Sequence, residues 1–160
     1  MSDAGWSAVI ATPLPGGWRY GIRCEGAGVS ETEFLPASAP LRAPDTDCAR
    51  RAVADVQHYF SAPHSHPAAE LSPRGTPFQQ RVWQALRDIP PGLPCTYGEL
   101  ARRLGSSARA VAGACRANPV PLLIPCHRVV AAHGAGGYMG TTEGEPLRLK
   151  NWLLDHEATR

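Results

Sequence analysis

The stretch TYGELARRLGSSARAVAGACRAN, residues 96–118, carries its own punctuation. Thr96 followed three residues later by Glu99 is a capping box, and the helix it starts spans Glu99–Leu104. Gly105 suits the left-handed position just past a helix end. Ser106 or Ser107 then caps a second helix running to about Ala117, and Asn118-Pro119 closes it. Two short helices joined by a tight glycine-containing turn are a helix-turn-helix signal. The second helix is built mostly of small residues (Ala108, Ala110, Ala112, Gly113 and Ala114), interrupted by Arg109 and Arg116. Small side chains let a helix backbone approach another surface closely. Two readings stand at this point: a helix packed tightly inside its domain, or a recognition helix in a DNA groove with Arg109 projecting.

Upstream of this pair, Thr76-Pro77-Phe78-Gln79 is another capping box with proline at the first helical position. Phe78, Val82, Leu86 and Ile89 follow at helical spacing, and Pro90-Pro91-Gly92 stops the helix. Downstream, Leu122-Leu123-Ile124 reads as a short buried strand ended by Pro125, and Val129-Val130 is again apolar. Gly134–Gly140 is a glycine-rich loop with one aromatic. A last helix begins at Pro146, with Leu149, Trp152 and Leu153 as its apolar stripe. Lys150 and Glu157, seven residues apart, fall on nearly the same side of it.

The first half reads differently. Ser7–Thr12 and Trp18–Cys24 are strand-like and flank the turn signal Pro13-Leu14-Pro15-Gly16-Gly17. Val29–Leu35 reads as a further short strand. Asp47 opens a helix with Ala52, Val53, Val56 and Phe60 on one face. Ser61–Pro73 has three prolines and no periodicity, and reads as the linker between halves.

The 160 residues, 43% hydrophobic and 19% charged, suit one globular domain or two small ones and exclude a disordered chain. No apolar run is long enough to cross a membrane, and the first six residues do not resemble a signal peptide. The net charge of +2 divides unevenly, with −3 on residues 1–72 and +5 on residues 73–160. A basic second half is what a nucleic-acid-binding half looks like. Five cysteines, an odd number, argue for free thiols and a cytosolic chain rather than a secreted disulfide framework.

The chemistry centres on Pro125-Cys126-His127-Arg128, placed after a hydrophobic run at a proline-forced break. A free thiol is only a few per cent thiolate near neutral pH. A neighbouring imidazole that takes the proton makes it a nucleophile, and the imidazole needs a third group to orient it. Glu157 is the candidate for that group.

Ile124-Pro125-Cys126-His127-Arg128-Val129-Val130 resembles the active-site signature of the O6-alkylguanine-DNA alkyltransferases. The likeness extends through Gly75-Thr76-Pro77-Phe78-Gln79, Val82-Trp83, Ile89-Pro90, Thr96-Tyr97, Leu100-Ala101, Ala108-Arg109-Ala110-Val111 and Asn118-Pro119-Val120-Pro121, all in the family's order and spacing. It resumes at Lys150–Glu157. The resemblance implies direct reversal of DNA damage: a single transfer of an alkyl group from guanine O6 to Cys126 after the base is flipped out of the duplex. His127 would be the base acting through a water, oriented by Glu157. Asn118 would hold the active-site turn, Tyr97 would donate to the extruded guanine, and Lys150 would lie close to the site. Arg109 would fill the gap left by the base, with Ala108, Ala110, Gly113, Arg116 and Arg128 at the DNA. Tyr97, Pro121, Val129, Tyr138, Met139 and Cys115 would line the substrate pocket.

The implied fold is α/β: a small ribonuclease-H-like sheet-and-helix domain over residues 1–72, and a mainly helical domain with a helix-turn-helix over residues 73–160. The implied partner is double-stranded DNA bearing O6-alkylguanine, entered by its minor groove. The expected protein is a cytoplasmic monomer, nucleoid-associated if bacterial, with no cofactor and no membrane attachment. Some relatives hold a zinc with N-terminal Cys and His residues. Cys24, Cys48, His58, His64 and His66 have no zinc spacing, and no structural metal is expected.

The sequence departs from the family's pattern in three places. The glycine loop around Tyr138 is one residue shorter. The stretch from Tyr138 to Lys150 is about five longer, with Thr141–Pro146 as the extra material. Position 115 is Cys where a larger residue is common. Two rivals stand beside this reading: a helix-turn-helix module that binds lesions without chemistry, and a thiol hydrolase using Cys126 and His127. Stoichiometry separates them: one event per chain, none, or turnover.

Overall fold

The fold is that of a computed structural model, which describes residues 5–65, 67–134, 136–139 and 144–158. The chain divides into two compact units, Met1–Arg74 and Gly75–Arg160. Among the described residues no helix is long and apolar enough to cross a membrane.

The first unit is an antiparallel sheet in the order β1 (Ala8–Ala11), β2 (Arg19–Glu25), β3 (Gly28–Leu35), with helix α1 (Asp47–Ser61) packed against β2 and β3. Alternation sorts the side chains. Ala8, Tyr20, Ile22, Thr32 and Phe34 share one face by register and are buried. Val9, Gly21 and Leu35 share the other, where Trp6 and Ala39 complete a second apolar cluster. Glycine at position 21 leaves room for Trp6, since a Cβ there would lie 2.9 Å from the indole. The β2–β3 hairpin turns on Gly26, whose φ of 62° suits a tight hairpin. Helix α1 is capped by the Thr46 hydroxyl, which accepts from Ala49 N–H. Its buried face includes Tyr59, while Phe60, expected there, is only half-buried.

Ser61–Pro73, expected as the linker between halves, is bonded to the first unit. Ser61 ends α1, and the Asp55 carboxylate accepts from the N–H groups of Ala68 and Ala69. Leu71 pairs in parallel with Val29, through Val29 N–H to Glu70 O and Ser72 N–H to Val29 O. The other edge of the sheet is covered likewise, where Val9 and Arg42 exchange both backbone bonds. Short covering segments satisfy edge groups that would otherwise recruit another strand.

The second unit runs α2 (Pro77–Arg87), β4 (Cys95–Thr96), α3 (Tyr97–Leu104), α4 (Ala108–Arg116), a 3-10 turn at Cys126–Arg128, β5 (Val129–Val130) and α5 (Glu145–Ala158). Both predicted capping boxes form, and Ser107 caps α4. Helix α3 starts at Tyr97, two residues before its expected start, because Thr96 itself is the N-cap. Gly105 ends it in the left-handed conformation at φ 63°. Helix α4 packs on α2 and α3 with Val111 and Ala114 buried. The Trp83 indole N–H fixes it by donating to Ala114 O at 2.9 Å.

Gly75 lies beside that indole. A Cβ there would sit 2.4 Å from the Trp83 ring, which is 2% exposed and held by its bond to α4. Gly75→Ala is therefore expected to destabilise the protein by about 1–3 kcal/mol, the usual cost of overpacking. A urea titration reads this as a lowered midpoint, and an unchanged midpoint would show that the ring yields freely.

Candidate active site around Cys126

The segment before Cys126 is a folded turn and not the strand expected at Leu122–Ile124. Ile124 N–H donates to Val120 O at 2.9 Å, and Leu122 adopts a left-handed φ of 79°. That conformation is costly for a branched residue. Asn118 braces the turn at both ends: its Nδ2 donates to Ile124 O at 2.8 Å, and its Oδ1 accepts from Val120 N–H at 2.9 Å. Pro125, at φ −81° and ψ 66°, then makes an inverse γ-turn closed by Cys126 N–H to Ile124 O. The 3-10 turn that follows feeds β5, which pairs in parallel with β4 through Cys95–Val129 and Thr96–Val130. Thr96 is also the N-cap of α3, so this two-residue ladder brings Tyr97 to the Cys126 side of the unit.

Cys126 is 8% exposed. Burial pushes its thiol up, while the Asn118 side-chain hydrogen bond and the Lys150 ammonium pull it back. His127 is wholly buried, and its Nε2 lies 2.5 Å from Glu157 Oε2. Donation from Nε2 leaves Nδ1 as the basic nitrogen, and Nδ1 has no protein partner among the described residues. Burial holds His127 below its ordinary pKa, against the opposing pull of Glu157. Burial alone would raise Glu157. The hydrogen bonds and charges of His127 and Arg128 outweigh it and hold the carboxyl down to about 2.

Arg128, expected at the DNA, faces inward instead. Its Nε donates to Glu157 Oε1 at 2.9 Å, Nη2 to Glu157 Oε2 at 3.2 Å and Nη1 to the Ile89 carbonyl at 2.8 Å. A buried carboxylate needs such a partner, and the guanidinium fork supplies it in bidentate form. Sequence alone missed this role, although the adjacency of His127 and Arg128 on a tight turn facing one acid was the available signal.

Lys150 is fully buried on α5, with Nζ donating to Val129 O at 2.7 Å and Gly137 O at 2.8 Å. It thus ties α5 to β5 and to the glycine loop, and its ammonium stands 5.8 Å over the Tyr97 ring. Burial lowers its pKa to about 8, with Cys126 and Cys115 acting the other way. Gly136, at φ 79°, lets the loop lie on Tyr97, since a Cβ there would be 3.1 Å from the ring. Gly136 therefore has a positional role that was not legible in the sequence. Burial, then the neighbouring Cys115 and Cys126, push the Tyr97 phenol up to about 12, so it remains a proton donor. Cys115 is half-buried, and its thiol is raised by burial and by Cys126. Val129 and Tyr138 are buried, Pro121 is half-buried and Met139 is 43% exposed.

The exposed side of α4 carries Ala108, Arg109, Gly113 and Arg116, with Ala110 half-buried. A Cβ on Gly113 would meet nothing within 4 Å, so internal packing does not require glycine there. Of Thr141–Pro146, the stretch expected to be extra relative to the family, Thr141–Glu143 lies outside the described residues, as do Gly140 and His66. Glu145 is paired with Arg148 at 2.6 Å. Among the described residues no group of three or more His, Cys, Asp or Glu could hold a metal ion.

The family model for the 6-O-methylguanine DNA methyltransferase DNA-binding domain matches residues 77–159. A methylated-DNA–protein-cysteine methyltransferase of Methanosarcina acetivorans is 34% identical over 139 residues, covering 82% of this chain and 86% of the relative. One from Salmonella typhimurium is 48% identical over 92 residues, covering 56% of this chain and 51% of the relative. The solved structure of Mycobacterium tuberculosis OGT in complex with DNA superposes with a TM-score of 0.75 at 33% identity, covering 93% of this chain and 92% of that one.

Proposed function

This chain belongs to the methylated-DNA–protein-cysteine methyltransferase family, and from that premise we infer that it repairs DNA by moving an alkyl group from guanine O6 to Cys126. The observation that carries this reading is the Cys126 thiol, set between Asn118 and Lys150 and followed by the buried His127–Glu157–Arg128 chain.

The reaction is an in-line displacement. The Cys126 sulfur bonds to the alkyl carbon, the carbon–O6 bond breaks, and its electron pair leaves with guanine. The thiol proton passes through a water to His127 Nδ1, while Nε2 stays bonded to Glu157. Glu157 remains ionised and stabilises the imidazolium that forms, as a third group does in nucleophile–base pairs generally. The Tyr97 hydroxyl donates to the departing guanine, whose developing charge it stabilises. The product is a stable thioether, and each chain is expected to act once.

An alkyl group on O6 is buried in the base stack, and extruding the base costs a few kcal/mol. We assign the replacement of the base to Arg109, on the exposed side of α4. The free space over Gly113 supports a close approach of this helix to the minor groove, with α3 and α4 as the helix-turn-helix. The three-stranded sheet and α1 of the first unit are consistent with a ribonuclease-H-like domain, and the protein is assigned as a monomer.

Incubation with a short duplex carrying O6-methylguanine, followed by intact-mass spectrometry, tests the function. One methyl group per chain is expected at saturation. Tight lesion binding with no mass gain would leave only a binding module, and more than one product per chain would indicate turnover. Arg109→Ala is expected to slow transfer from the duplex roughly tenfold, equivalent to about 1.4 kcal/mol of lost compensation for flipping. Transfer from a single strand should change far less, and an equal loss on both would place Arg109 in some other role.

A further inference from the structure

Two cysteines outside the active site meet in the first unit. Cys24 follows a register irregularity in β2, and its backbone N–H donates to Ser7 Oγ at 3.1 Å. Cys48 is the second residue of α1, whose N-cap is Thr46. The packing of α1 on β2 brings the Cys24 and Cys48 side chains into contact, with the Thr46 side chain beside Cys24. Cys48 is 6% exposed, whereas Cys24 is only half-buried, so a small solute reaches the pair through Cys24. No third donor joins them to make a metal site among the described residues. Two thiols in contact without a third ligand form a dithiol, and their separation in sequence hides it from any spacing rule.

We propose that Cys24 and Cys48 are a reversible dithiol–disulfide couple that takes a low-molecular-weight disulfide as oxidant and staples α1 to β2. In the first step the Cys24 sulfur attacks one sulfur of the small disulfide. A mixed disulfide forms, the original sulfur–sulfur bond breaks, and one small thiol departs. The Cys48 sulfur then attacks the Cys24 sulfur and expels the second small thiol. Both cysteine protons and two electrons end on the two departing thiols. Burial, then the contact with Cys48, push the Cys24 thiol up to about 12, which makes the first step the slow one. The second step is intramolecular between groups already in contact. The closed loop would restrict the unfolded chain and raise thermal stability.

The test uses the full chain carrying Cys126→Ala, so that the repair thiol does not contribute. It is incubated with glutathione disulfide, the remaining thiols are alkylated, and the protein is mapped by mass spectrometry. The expected product has lost two hydrogen atoms, carries a Cys24–Cys48 linkage reversed by dithiothreitol, and melts at a higher temperature. Adding Cys48→Ser should stop the reaction at a stable glutathione adduct on Cys24. Adding Cys24→Ser instead should leave Cys48 as an unreacted thiol. The proposal is overturned if both cysteines stay alkylatable in the Cys126→Ala chain, if each carries its own glutathione, or if either links to another cysteine.

Discussion

Cys126→Ala is expected to abolish methyl transfer entirely, with no mass gain under excess lesion duplex, while lesion binding persists. The expectation rests on what surrounds the sulfur. Asn118 and Lys150 both favour its ionised form, and His127 lies next in the chain with a basic nitrogen that has no partner among the described residues. Losing a general base alone typically costs about 10²–10⁴ in rate, whereas losing the nucleophile removes the bond that forms. The instructive competitor is Cys115, a second thiol that shares the charge environment of Lys150, Tyr97 and Cys126. Burial raises that thiol, and Lys150 is the group that lowers it, without the Asn118 bond that Cys126 has. A methyl group found on Cys115 in the Cys126→Ala protein would mean that the pocket, and not the particular thiol, selects the acceptor. The double variant Cys115→Ala, Cys126→Ala then separates the two cases.

The features that were legible in advance are those whose physics is local. Thr76, Thr96 and Ser107 cap helices because a side-chain oxygen reaches a backbone N–H three residues on, and nothing distant is needed. Gly105 ends α3 for an equally local reason. The pairing of Lys150 with Glu157 on one side of α5 followed from helical periodicity, and both are buried. What escaped the sequence depends on partners far along the chain. Leu122–Ile124 has the composition of a strand, yet Asn118 claims its backbone groups and forces a turn. Arg128 looks like a phosphate ligand until Glu157 arrives from α5 to take it. The proline-rich Ser61–Pro73 is tied down by Asp55 and Val29, neither of which its composition reveals. Cys24 and Cys48 meet for the same reason, through the packing of α1 on β2.

These long-range pairings also explain how the site tolerates three buried charges. Lys150 has its donors on two carbonyls, Arg128 on a carbonyl and a carboxylate, and Glu157 receives from both His127 and Arg128. Buried charge is costly unless each group is so satisfied. The cost is accepted where it fixes geometry: the Lys150 bonds hold the glycine loop over Tyr97, and the Glu157 bonds orient His127 beside Cys126.

Glu157→Ala should accordingly be the most destabilising single change at the site. Removing one partner of a buried, hydrogen-bonded ion pair costs about 3–5 kcal/mol, because the remaining charge stays buried. Here Arg128 would keep the Ile89 carbonyl, and His127 would lose its partner on Nε2. Glu157→Gln keeps the volume and one acceptor, and should cost distinctly less. Acid titration gives a second reading with a fixed sign. His127 is held below its ordinary value, so the stability of its neutral burial is present at high pH and falls as pH drops below about 6.5. Glu157 is held down to about 2, so its contribution is present above the ordinary carboxylate value and is lost as pH falls towards 2. Urea midpoints of wild type and Glu157→Gln measured from pH 7 to pH 3 should therefore begin to converge below the ordinary carboxylate value, as the carboxyl of the unfolded chain takes up its proton. Parallel curves over that range would mean that Glu157 is not the ionised partner of His127 and Arg128, and the proton path assigned to His127 would lose its orienting group.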